Sequence, residues 1–161
     1  MGFQIGDKVI HWVYGLGEII QMDVKNIHEH PTPCFVVRIR DLSIWVTADD
    51  KGASNLRRPT PPGNFDEIFA VFHSPAEPLP NDRFERKKQL GERMRGGNLV
   101  SISTVVRDLT YHRGVVNLNY DDKSTLQRAK SFLLDEWSCS LSVPMAEANT
   151  ELVHLLAPEP A

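Results

Sequence analysis

Cys34-Phe35-Val36-Val37-Arg38-Ile39-Arg40-Asp41-Leu42-Ser43-Ile44-Trp45-Val46-Thr47 is the stretch whose reading decides the fold class. Phe35, Val37 and Ile39 alternate with Arg38 and Arg40, and a period of two is the period of a strand. Asp41-Leu42 can turn the chain into a second strand, in which Ile44 and Val46 point inward and Trp45 outward. Working backward, residues 8–13 and 18–24 are further strand candidates, separated by Tyr14-Gly15-Leu16-Gly17. Its two glycines permit a tight turn or a close backbone approach. Residues 28–33 contain two prolines and read as a loop. Short strands at this spacing predict a small β-barrel, closed because an open sheet leaves unpaired edges.

Working forward, residues 48–63 are connection, and Pro59-Thr60-Pro61-Pro62-Gly63 predicts a stiff one. Beyond it the apolar period changes from two to about 3.6. Asn64-Phe65-Asp66-Glu67 has a capping-box pattern ahead of a short helix with Ile68, Val71 and Phe72 inward. Asn81 or Asp82 can cap a second helix over 82–95, ended by Gly96-Gly97. Asn98 caps a third, with Leu99, Ile102, Val105 or Val106, and Leu109 on one face and Gly114 as its stop. Asp121 or Asp122 opens a fourth, carrying Leu126, Ala129, Leu133 and Trp137, and Pro144 starts a fifth with Met145, Ala148, Leu152 and Leu155. The expectation is a segregated α+β chain: a barrel over 1–60 and an all-helical domain of about five helices over 64–157.

The 161 residues are 41% hydrophobic and 24% charged, enough apolar content to exclude disorder as the default. No apolar run reaches membrane-spanning length, and residues 1–7 lack the basic-then-apolar pattern of a signal peptide. Cys34 and Cys139 are too isolated to be a disulfide framework and point to a reducing cytoplasm. The net charge is −3, but its distribution is uneven. Residues 83–95 hold Arg83, Arg86, Lys87, Lys88, Arg93 and Arg95 against Glu85 and Glu92, while no Lys or Arg follows residue 130. One basic helix in a neutral-to-acidic chain reads either as a solvated face or as a polyanion contact.

Catalytic patterns are scarce. His28 and His30 flank Glu29 near Cys34, a spacing that would put both imidazoles on one face of a strand as a weak metal site; a polar loop is the plainer reading. Gly15-Leu16-Gly17 leads into a strand and so lacks the helix N-terminus that phosphate binding needs. There is no HExxH, no paired CxxC and no nucleophile elbow. The expectation is a protein that is not an enzyme and uses no cofactor or metal.

Two sets of motifs carry a resemblance. Phe3-Gln4-Ile5-Gly6-Asp7-Lys8-Val9-Ile10-His11 with Tyr14-Gly15-Leu16-Gly17-Glu18-Ile19 opens the chain. Val105-Val106-Arg107-Asp108-Leu109 follows the Gly-Gly break, and residues 122–130 come after it. In this order they resemble the CarD/CdnL family of bacterial transcription regulators, over nearly the whole chain. The resemblance implies a Tudor/SH3-like barrel that binds the RNA polymerase β subunit. It also implies a helical domain that meets promoter DNA at the upstream edge of the melted bubble and stabilises the open complex without turnover. By that resemblance the polymerase-binding residues are Lys25, Arg38, Arg40 and Trp45, and the DNA-binding residues are Arg83, Phe84, Arg86, Lys87 and Lys88. The sequence departs from the family where a DNA-wedging tryptophan falls on Arg83, with Phe84 beside it, and where an arginine falls on Trp45, which cannot replace it in kind. The expected setting is the cytoplasm, as a monomer away from membranes, with polymerase and weakly held promoter DNA as partners. Two other readings stand beside this one. The first is an adaptor that binds polymerase or another protein without touching DNA; the second is an enzyme built on the loop from His28 to Cys34.

Overall fold

The computed structural model describes residues 2–96 and 98–157. They form two compact units that divide between Pro59 and Thr60.

The first unit contains β1 (Lys8–His11), β2 (Gly15–Ile27), β3 (His30–Ile39), β4 (Leu42–Thr47), a short α1 (Asp50–Ala53) and β5 (Leu56–Arg57). The strands are antiparallel in the order β4-β3-β2-β1-β5. Val9, Ile19, Phe35, Val37, Ile39, Val46 and Leu56 make its core. The two glycines of residues 14–17 do different jobs. Gly15 has φ +94°, the turn conformation L-residues avoid. Gly17 lets β3 approach: a Cβ there would lie 2.5 Å from Ile39 Cγ1 and 2.7 Å from the Arg38 carbonyl.

Three expectations for this unit need correction. The sheet is open, with β4 and β5 as its edges. The chain between them forms α1, and β5 is only two residues long and pairs with β1. Residues 30–33 belong to β3, joined to β2 by a two-residue turn at His28 and Glu29, both with positive φ. The prolines are tolerated because Pro31 and Pro33 sit at alternate positions whose backbone faces away from β2. The Pro33 carbonyl accepts from Ala48 N on the other side, so no rung of the β2–β3 ladder is lost. The second hairpin turns at Arg40-Asp41, one residue earlier than expected, with Leu42 paired to Ile39. Arg40, at φ +56°, is therefore a turn residue and not part of the strand face.

The second unit contains a single 3-10 turn at Pro62–Asn64, then α2 (Phe65–His73), α3 (Arg83–Arg95), α4 (Leu99–Val115), α5 (Tyr120–Leu141) and α6 (Met145–Leu156). α4 is its axis: Val105, Val106 and Leu109 are all fully buried, so the expected choice between Val105 and Val106 dissolves. Phe65, Ile68, Leu90, Leu126, Ala129, Leu133 and Leu152 pack around it, and Trp137 lies 5.2 Å from Phe69 in an edge-on contact. Met145, expected inward, is exposed. The caps were partly misplaced. Asp82, Asn98 and Asn119 each accept a backbone N–H of the first turn, so Asn119, not Asp121 or Asp122, starts α5. Asn64 ends the 3-10 turn in helical backbone and makes no side-chain cap. Among the described residues no helix is long and apolar enough to cross a membrane.

Candidate partner and nucleic-acid surfaces

α3 buries Arg86, Leu90 and Met94, which recur every four residues, and leaves residues 83–85, 87 and 88 facing solvent. Asp82 fixes the first turn by accepting from Glu85 N at 3.0 Å. At this end Phe84 is 70% exposed, with the Arg83 guanidinium 5.0 Å from its ring centre. Lys87 reaches Asp121 at 3.6 Å in an exposed pair, whereas Lys88 is exposed and has no carboxylate partner among the described residues.

Arg86 departs from the expected DNA-contact set. It is only 7% exposed, and its guanidinium is fully used. Nε donates to both Asp122 oxygens at 3.1 Å, Nη2 meets Oδ2 at 3.0 Å, and Nη1 donates to the carbonyls of Pro80 and Asn81. It is a clamp that holds the entry to α3 against the start of α5, and it cannot present charge to a ligand. A second buried hub has the same character. Asp108, fully buried, accepts from Arg107 Nε at 2.8 Å, Arg93 Nη1 at 2.7 Å and Glu77 N at 3.0 Å. Glu136, also buried, accepts from the Thr60 amide and hydroxyl at 2.8 and 2.6 Å and so ties the start of this unit to α5.

These buried ionic residues were missed in the sequence, yet a signal was present. Asp122, Leu126, Ala129, Leu133 and Glu136 step by four, three, four and three, so both acids lie on the apolar stripe of α5. Arg86 occupies the same kind of position on α3.

On the sheet unit, Trp45 points outward, 43% exposed, opposite Val36 on β3. The Lys25 ammonium sits 4.3 Å above its ring centre, which joins two of the residues singled out in the sequence. Arg38 lies on the same face, opposite Ser43, and is exposed. Arg40 lies apart from this face in the turn. In a two-residue hairpin the closing pair is hydrogen-bonded, so alternate residues of β4 turn their backbone the other way. Ser43 and Trp45 thus aim their N–H and C=O groups at the open edge of the sheet, whereas Gly52 of α1 packs on the Thr47 carbonyl. His28 is a residue of the β2–β3 turn and His30 the first of β3, so they do not share a strand face, and no group of three or more metal-ligating side chains occurs among the described residues.

Comparison with known proteins bears on the second unit most directly. Residues 67–153, more than half of the chain, match the family model for the C-terminal domain of CarD. The chain is also 27% identical over 137 residues to a Bacillus subtilis (strain 168) protein named "Putative transcription factor YdeB". That match covers 83% of this chain and 89% of the relative.

Proposed function

From the premise that this chain belongs to the CarD family, we propose that it is a transcription regulator with two working surfaces. The open edge of β4 docks on the RNA polymerase β subunit, and the first turns of α3 contact promoter DNA at the upstream edge of the bubble. The edge of β4 supports the first part. Its edge-facing backbone groups at Ser43 and Trp45 suit strand addition, in which main-chain hydrogen bonds supply geometry and side chains supply choice. The choice would lie with Trp45 and Lys25, an apolar plate under a cation, with Arg38 beside them. Lys25, Arg38 and Trp45 remain the polymerase-contact candidates, and Arg40 is at most a rim contact from the turn.

The observation that carries the second part is the solvent-facing group at the start of α3: Arg83, Phe84 and Lys88 exposed together, inside the segment that matches the family. Phe84 can prop a base step from the minor groove, as apolar wedges do. Arg83 and Lys88, with Lys87 once it leaves Asp121, would neutralise phosphates without reading sequence. So few cations give little affinity alone. Tethering through the sheet unit supplies the rest, because linking two weak sites raises apparent binding by ~10²–10⁴. The chemistry proposed is positional: no turnover, cofactor or metal is required.

The burial of Arg86 and the pairing of Lys87 favour one competing reading, a polymerase-docking adaptor whose basic helix never meets DNA. The lifetime of competitor-resistant open complexes, measured with wild type and with Arg83→Glu/Lys88→Glu, separates the two. The proposal expects the double variant to bind polymerase β fragments as wild type does and to lose its effect on lifetime. An unchanged lifetime effect with docking intact would leave the adaptor reading standing.

A further inference from the structure

The C-terminal half of α4 carries a stripe that faces neither neighbour completely. Arg107, Thr110, Tyr111, Gly114 and Val115 recur at the i, i+3, i+4, i+7, i+8 spacing of one helix face. In a globular domain such a stripe is normally covered, yet Tyr111 is 56% and Val115 64% exposed. They border a cleft of about 750 Å³ walled by the end of α2 (Phe72, His73), the 74–76 connection and the end of α6 (Leu155, Leu156). That volume lies within the roughly 300–1,000 Å³ typical of small-molecule sites, and a protein partner would need about 800 Å² of its own surface to bind stably.

The charge of the cleft is one-sided. Arg107, Arg113 and His73 line it, and among the described residues no aspartate or glutamate does. Behind the wall, Asp108 is shared by two guanidinium groups, those of Arg107 and Arg93, so it offsets the Arg107 charge only in part. Arg107 is held rigid there, with Nη1 donating to the Val71 carbonyl at 3.3 Å. Arg113 makes no ion pair among the described residues. Its neighbour across α5 is another cation, Lys130, whose ammonium is held below the usual lysine range by burial and then by the Arg113 charge. The carbonyl end of α4 offsets only roughly half a charge. An apolar slot with one rigid guanidinium that shares its carboxylate, and a second that makes no ion pair among the described residues, selects for one kind of guest.

We infer that the cleft between α2, α4 and α6 is a binding site for a small organic anion with a flat or branched apolar body. The body would lie against Phe72, Tyr111 and Leu155, and its carboxylate, sulfonate or phosphate would meet Arg107 and Arg113. Its lining shares no residue with β4 or with α3.

The test uses the full chain and 8-anilinonaphthalene-1-sulfonate as the probe, followed by fluorescence and by amide chemical shifts. The expected result is one saturable site whose shifts cluster at Phe72, Tyr111, Val115 and Leu155, weakened about tenfold or more by Arg113→Glu. Arg113 is exposed and unpaired, so the variant should keep the wild-type circular dichroism and Tm. Val115→Asp, at a second exposed position, should weaken the probe likewise. The uncharged analogue N-phenyl-1-naphthylamine should bind at least tenfold less tightly than the sulfonate. Shifts scattered over both units, no loss on Arg113→Glu, or equal affinity for the uncharged dye would each overturn the inference.

Discussion

Arg86→Ala is the sharpest perturbation of the buried frame under α3. The guanidinium is enclosed with Asp122, side chains 8% and 5% exposed, so water screens the pair little. Removing one partner of such a pair typically costs about 3–5 kcal/mol, because the remaining carboxylate is left buried and unpaired. Here the Pro80 and Asn81 carbonyls lose a donor as well. For a unit of about 100 residues, 1 kcal/mol corresponds to about 4–8 °C, so the helical unit should melt at least about 12 °C lower. Lys87→Ala, which breaks the exposed pair with Asp121, should cost at most about 1 kcal/mol. Replacing both buried charges, Arg86→Met with Asp122→Leu, should recover most of the loss, since an apolar pair of similar volume needs no desolvation. Scanning calorimetry of wild type, Arg86→Met, Asp122→Leu and the double variant gives the coupling energy. The reasoning fails if Arg86→Ala melts within about 1 kcal/mol of wild type while shortening open complexes as Arg83→Glu does, for Arg86 would then be a surface contact.

Three further outcomes follow from the sheet unit. His11 Nδ1 accepts from Val13 N at 3.0 Å and from Tyr14 N, and burial holds its pKa below the ordinary histidine value of 6.5. The neutral ring is the folded form, so its contribution is complete above about pH 6.5 and is lost as pH falls through the lower folded value; His11→Gln should flatten the dependence of Tm on pH between 5 and 7. Gly17→Ala forces a methyl against Ile39 and the Arg38 carbonyl and should destabilise the sheet unit by about 1–3 kcal/mol in urea titration, with no change in the melting of the helical unit. Trp45→Ala exposes Val36 and frees Lys25, and should weaken capture of polymerase β fragments at least tenfold while lowering stability by no more than about 1.5 kcal/mol. Undiminished capture would remove Trp45 from the docking surface.

The local signals in this chain were strong. The alternation through Phe35, Val37 and Ile39 placed β3, and the outward turn of Trp45 followed from Ile44 and Val46 flanking it. The helical spacing of Leu126, Ala129, Leu133 and Trp137 placed α5, and Asn98 capped α4 where its side chain predicted. Such features depend on neighbours within a turn or a pleat, so a linear pattern can carry them. Prolines misled because their cost depends on which side of a strand is paired, and at Pro31 and Pro33 the ladder lies on the other side.

What the sequence by itself determined is the division into a stranded front and a helical back, the positions of the four longer strands and the five longer helices to within a few residues, and the family motifs that place the chain among its relatives; α1 and β5 fall in a stretch that reads as connection. What only the tertiary structure decided is the fate of each charge. Arg83 and Arg86 are alike in composition and three residues apart, yet one faces water and the other closes on Asp122, thirty-six residues later. That the sheet stays open, with β4 and β5 as its edges, is likewise visible only in the order in which distant strands pair. A charge is free or spent according to what folding brings against it, and that partner is set by packing between distant segments, which no local pattern encodes.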